Sequence, residues 1–185
     1  MSSELYLAID SLEKEELIVY PTDTIYGIGC DATSSKAVSQ VFEIKQREES
    51  KSLIVLVSSI VMLNKYVEII PKEIINYLKT NEKPTTIIYN NPLNLAKNII
   101  AKDNTIAIRI VFKGFCHELI KTFGKPIVST SANISNKPAP INFKDIDESI
   151  LSKVDYVVNL PLENKSNKPS TIIKFVNGKI EFLRK

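Results

Sequence analysis

LIVYPTDTIYGIGC, residues 17–30, sets the architecture of this chain. LIVY (17–20) and IYGIGC (25–30) are rich in β-branched and aromatic residues and read as strands. Between them Pro21-Thr22-Asp23-Thr24 supplies turn chemistry, since proline sets its own φ and Asp and Thr side chains bond nearby backbone. The sheet therefore begins with a strand–turn–strand unit. On its N-terminal side a helix is expected over 3–15, with Leu5, Ile9 and Leu12 as the buried stripe. On its C-terminal side a second helix is expected, with Ser34 or Ser35 as N-cap and Val38, Val41 and Phe42 facing inward. LIVLV (53–57) is continuously apolar, the pattern of a strand covered on both faces. Pro71 suits the first turn of a helix reaching about Leu78. Further strands are expected at 85–89, 105–111 and 126–129, with helices between. FVNGKIEF (175–182) reads as a hairpin, because Asn177-Gly178 supplies both positive-φ residues of a type I′ turn. Hairpins mixed with helical crossovers predict an α/β (α+β) sandwich around a mixed sheet, not a regular doubly wound fold. The polar stretch LENKSNK (162–168) reads as a mobile loop.

Composition narrows the functions open to the chain. At 185 residues it has length for one domain or a tightly fused pair. A net charge of +3 permits a local basic groove but does not argue for a protein that coats nucleic acid. No apolar run is long enough to span a membrane, and the acidic, amphipathic start MSSELYLAIDSLEKEE is unlike a signal peptide. Cys30 and Cys116 are the only cysteines, which excludes a disulfide scaffold and fits a reducing cytoplasm. With His117 as the sole histidine, a zinc site is close to excluded and a Ser-His-Asp triad has one candidate base. That histidine lies in GFCHELIKTF, which reads as an amphipathic helix. Neither a P-loop nor a GxGxxG fingerprint occurs, so any ATP chemistry is of another type.

Of 24 basic residues only Arg47, Arg109 and Arg184 are arginines, and guanidinium grips phosphate or carboxylate oxygens in pairs as ammonium cannot. Four segments around them carry candidate chemistry. In YPTDTIYGIG (20–29), two glycines and the hydroxyl residues let backbone amides and side chains approach a ligand at a strand end; a tight turn alone also accounts for them. Lys45, Arg47 and Lys51 could converge on a polyphosphate, or form a solvated helix end that favours cations. Ser129-Thr130-Ser131-Ala132-Asn133 follows an apolar strand and suits a nucleotide or amino-acid site; an Asx or Ser/Thr turn is the plainer reading. Pro169-Ser170-Thr171 leads a strand, with Arg184 on the next.

In order and spacing, P-T-D-T-I-Y-G (21–27), K-Q-R (45–47), T-I-A-I-R (105–109), S-T-S-A-N (129–133) and P-S-T-I-I (169–173) resemble the YrdC/TsaC family. The resemblance runs from about Leu17 to Arg184. It implies a single YrdC-like domain over 1–185, with a twisted mixed sheet flanked by helices and a deep basic cavity. It further implies a threonylcarbamoyl-AMP synthase, a nucleotidyltransferase that joins L-threonine, bicarbonate and ATP into threonylcarbamoyl-adenylate and releases pyrophosphate. Mg²⁺ would accompany ATP, with no metal ligand from the protein. A tRNA threonylcarbamoyl transferase complex would carry the product to the adenosine beside the anticodon, and tRNA or double-stranded RNA is a candidate ligand. By the same resemblance Thr24, Arg109, Ser129, Thr130 and Ser170 would hold threonine. Lys45, Arg47, Lys51, Ser131, Asn133 and Arg184 would hold ATP, with Lys45 and Arg47 catalytic. The chain departs from the family pattern at Ser52, where proline is usual, and at Leu56, where a histidine is common. Two other functions stay open: a non-catalytic RNA-binding or ribosome-associated protein, and a carbamoyl-adenylate enzyme acting on another amine.

Overall fold

The computed structural model describes residues 3–46, 53–81, 83–134, 138, 140, 142–162 and 169–184. Its strands are β1 (Ile18–Pro21), β2 (Tyr26–Gly29), β3 (Ile54–Val57), β4 (Thr85–Asn90), β5 (Thr105–Ile110), β6 (Ile127–Ser131), β7 (Tyr156–Val157), β8 (Thr171–Val176) and β9 (Lys179–Arg184). They join in one twisted sheet of order β7-β1-β2-β6-β3-β5-β4-β8-β9. The pairs β1/β7, β3/β5 and β4/β8 are parallel, and the other five are antiparallel. This is the mixed sheet expected from the sequence. The flanking helices are α1 (Ser3–Glu13), α2 (Ser35–Lys45), α3 (Ile60–Leu63), α4 (Lys72–Thr80), α5 (Gly114–Phe123) and α6 (Glu148–Leu151).

Local chemistry explains most boundaries. Ser34, not Ser35, caps α2: its side chain accepts from the Ala37 amide at 3.2 Å. The helix stops where Gln46 turns to φ 47°. The first helix ends at Glu13, two residues earlier than expected, because Glu15 adopts φ 60° and reverses the chain towards β1. Pro71 stands at the N-cap of α4, one residue before the helix. Asn177 (φ 49°) and Gly178 (φ 79°) make the hairpin turn between β8 and β9. The final strand of the triplet expected at 126–129 extends to Ser131 instead, which brings Ser131 opposite Gly27.

The core lies between the sheet and its helices. α1 packs on α5, and both meet β1, burying Leu5, Ala8 and Leu12 with Leu119 and Ile120. β5 is buried along its whole length, with Arg109 as its one charged residue. Gly29 is required by packing: a Cβ there would meet Tyr20 Cε1 at 2.5 Å and the Val128 carbonyl at 3.0 Å. His117 sits on α5 as read, its Nδ1 2.7 Å from the Val111 carbonyl, tying the helix to the preceding strand end. Both cysteines are buried.

Candidate active site

Residues directly opposite in paired strands share a face of the sheet. One such row crosses six strands: Ile127 on β6, Leu56 on β3, Arg109 on β5, Thr86 on β4, Ile172 on β8 and Arg184 on β9. The adjacent row holds Ser129 on β6, Ile54 on β3, Ala107 on β5 and Ile88 on β4. Two arginines distant in sequence thus arrive on one face of the sheet. A cavity of about 440 Å³ opens over these rows. Leu53, Ile54, Ala107, Ile88 and Ile172 contribute apolar surface. Thr24, Arg109, Ser129, Thr130, Ser131, Asn133, Ser170 and Arg184 contribute polar groups. An apolar lining with a few convergent polar groups is the usual form of a small-molecule site.

Arg109 is 4% exposed, and its Nη2 donates to Asp23 Oδ1 at 2.8 Å. Its Nε–H is buried and has no partner among the described residues. The turn bearing Asp23 is stiffened by Thr22, whose Oγ1 accepts from the Thr24 and Ile25 amides and donates to the Ile25 carbonyl at 2.7 Å. Gly27 follows in β2, where a Cβ would press on Ser129 Oγ at 3.0 Å. Here the glycine keeps the cavity wall thin.

Across the cavity Arg184 donates through Nε and Nη2 to the Ser170 carbonyl, at 3.1 and 2.8 Å. Ser170 Oγ meets Thr86 Oγ1 at 2.8 Å. The pKa of Arg184 is lowered, first by burial of its head and then by the like charge of Arg109. Two guanidiniums repelling one another across an apolar lining make a site that favours an anion.

Lys45 occupies a different position. Its side chain is 2% exposed at the end of α2, and it is not among the residues that line the cavity. Its Nζ donates to the Ser131 carbonyl at 2.6 Å, to Asn133 Oδ1 at 2.9 Å and to the Asn133 carbonyl. Ser131 Oγ in turn donates to Asn133 Oδ1. The ammonium therefore stands behind the Ser131–Asn133 wall and holds it in shape.

The structure brings together eight of the residues singled out in the sequence, Thr24, Arg109, Ser129, Thr130, Ser131, Asn133, Ser170 and Arg184. Arg47, Lys51 and Ser52 lie outside the described residues, as do 163–168 of the expected loop. Leu56 is wholly buried, in the arginine row but not lining the cavity. Sequence reasoning passed over Asp23, although an acid inside a stretch expected to face an anion is itself a signal for an arginine partner. Thr86 carried no such signal; only the register reveals it.

An α/β sheet that presents two arginines and a hydroxyl-rich loop to one cavity has the chemistry to take a small anion. The family model Sua5/YciO/YrdC, described as telomere recombination, matches residues 10–185, and the chain belongs to that family. A threonylcarbamoyl-AMP synthase of Pseudoalteromonas translucida is 32% identical over 181 residues, 96% of each chain. A putative threonylcarbamoyl-AMP synthase of Methanocaldococcus jannaschii is 38% identical over 182 residues, 95% of this chain and 84% of the relative. The crystal structure of P. abyssi Sua5 complexed with L-threonine is similar with a TM-score of 0.91 at 27% identity. It is matched over 100% of this chain and 55% of its own, so the present chain spans about half of that longer protein.

Proposed function

We propose that this chain is a threonylcarbamoyl-AMP synthase. The observation that carries the reading is the convergence of Arg109, Arg184, Thr24, Ser170 and the Ser129–Asn133 segment on one cavity. The likeness to an L-threonine complex supports it. In this reading the amine of L-threonine attacks bicarbonate, releasing water and leaving a carbamate. A carbamate oxygen then attacks the α-phosphorus of ATP, and the bond to the β-phosphate oxygen breaks to release pyrophosphate. No protein nucleophile is needed, so the lone His117 is no obstacle. The chain's contribution is alignment and cationic stabilisation. Arg109 pairs the amino-acid carboxylate, with Thr24, Ser129, Thr130 and Ser170 around it. Arg184, Ser131 and Asn133 hold the nucleotide, together with Arg47 and Lys51. Lys45 fixes the loop that carries Ser131 and Asn133.

Mg²⁺ is proposed to enter with the nucleotide. Among the described residues no group of three or more His, Cys, Asp or Glu stands close enough to hold a metal ion. In this reading phosphate oxygens and water would supply its ligands. The product, a reactive mixed anhydride, calls for a transferase acting on tRNA, and the reading implies a cytoplasmic enzyme. Among the described residues no helix is long and apolar enough to cross a membrane.

The test is pyrophosphate release from ATP with Mg²⁺ and bicarbonate, with and without L-threonine, and mass spectrometry of the adenylate. Threonine-dependent release with the adenylate present is the expected result. Release with a different amine only would move the chain to a sister activity. Salt-sensitive RNA binding without turnover would replace the enzyme by a binding protein.

A further inference from the structure

We propose that Asp23 is a positioning residue that aims Arg109 and balances its charge, and so sets how tightly the cavity takes an amino-acid carboxylate. This rests on the function proposed above and deepens it at the same site. Asp23 does not line the cavity, so it acts through the arginine. A guanidinium that is 4% exposed and whose Nε–H has no partner among the described residues is not oriented through that group. The 2.8 Å bond from Nη2 to Asp23 Oδ1 orients it, from a turn whose backbone Thr22 already stiffens. The guanidinium is thereby presented to the cavity in one pose before any ligand arrives.

The same contact has an electrostatic side. The Asp23 carboxylate, 18% exposed on its side chain, offsets the charge that an incoming carboxylate would meet on Arg109. The two effects oppose each other and separate by substitution. Asp23→Asn keeps an oxygen acceptor at Oδ1 and loses the charge, so the aim survives while the attraction for an anion grows. Asp23→Ala loses both, and the guanidinium is free to turn away.

The experiment measures pyrophosphate release with L-threonine varied at saturating ATP. The KM for threonine should fall about three- to tenfold in Asp23→Asn, the effect of one unit charge removed a few ångströms away in a partly screened site. It should rise roughly tenfold or more in Asp23→Ala, the size that outer-shell partners of a binding group command. The KM for ATP should stay near wild type in both, while the thermal midpoint should fall in Asp23→Ala, which takes the carboxylate from a buried guanidinium. Shifts in the same direction, or no shift in either, would overturn the proposal.

A second readout needs no turnover. The chain has three arginines, so side-chain Nε–H signals of nitrogen-labelled arginine are few enough to assign with Arg109→Lys. The Arg109 Nε–H should exchange slowly in wild type and Asp23→Asn, and at least about tenfold faster in Asp23→Ala. Equal protection in the alanine variant would overturn the positioning role. Should wild type release no pyrophosphate with threonine, the proposed function fails, and the exchange rates alone decide Asp23.

Discussion

Lys45→Met removes the ammonium from the buried end of α2 while keeping most of the side-chain volume. Three bonds are lost at once, to the Ser131 carbonyl, the Asn133 carbonyl and Asn133 Oδ1, of which Oδ1 keeps another donor, the Ser131 hydroxyl. Hydrogen bonds from a charged donor are each worth about 1.5–3 kcal/mol. All three lie on one short segment, so they do not add in full, and about 3–5 kcal/mol is the expected loss. That is a large share of the roughly 5–15 kcal/mol by which domains are stable. Urea denaturation reads the global part. Hydrogen exchange over 131–134 reads the local part, where protection should collapse further than elsewhere. Threonine-dependent pyrophosphate release should fall with it, because Ser131 and Asn133 line the cavity. The reasoning is refuted by a Lys45→Met protein within about 1 kcal/mol of wild type that keeps its protection over 131–134 and loses only affinity for ATP. The ammonium would then serve the nucleotide directly, the role expected from the sequence.

Arg109→Ala should cost about 2–5 kcal/mol of transition-state binding, measured as the fall in kcat/KM for threonine, while far-UV circular dichroism stays unchanged. Gly29→Ala forces a methyl against Tyr20 Cε1 and the Val128 carbonyl inside the sheet, and should lower stability by about 1–3 kcal/mol in urea titration. Tyr156 is pushed up from 10.0 to about 12, first by burial and then by its bond to Glu4 Oε2. Between those values the unfolded chain releases a proton that the folded chain keeps, so this stabilisation is whole below about pH 10 and lost on the way to about pH 12. Tyr156→Phe should lower the melting temperature at neutral pH and flatten its fall across that window; a curve parallel to wild type would refute the assignment.

Much of the fold was legible because its signals are local. A continuous apolar run marked β3, Ser34 or Ser35 marked the start of α2, and Asn177-Gly178 marked the last hairpin. The short pieces α3, α6 and β7 escaped, being too brief to show a period. The chemistry of the site was also written locally, in arginine where lysine is the habit and in hydroxyls at strand ends.

The sequence by itself determined which residues are chemically able to hold an anion, an amino acid and a nucleotide, since that ability belongs to the side chain. Only the tertiary structure decided which of them meet. The strand order β3-β5-β4-β8-β9 put Arg109 and Arg184 in one row. Burial turned Lys45 to the Ser131–Asn133 wall, and the β1–β2 turn delivered Asp23 to Arg109. Register between distant strands and the partner a buried charge finds are set by packing across the whole core, which no local window of residues contains.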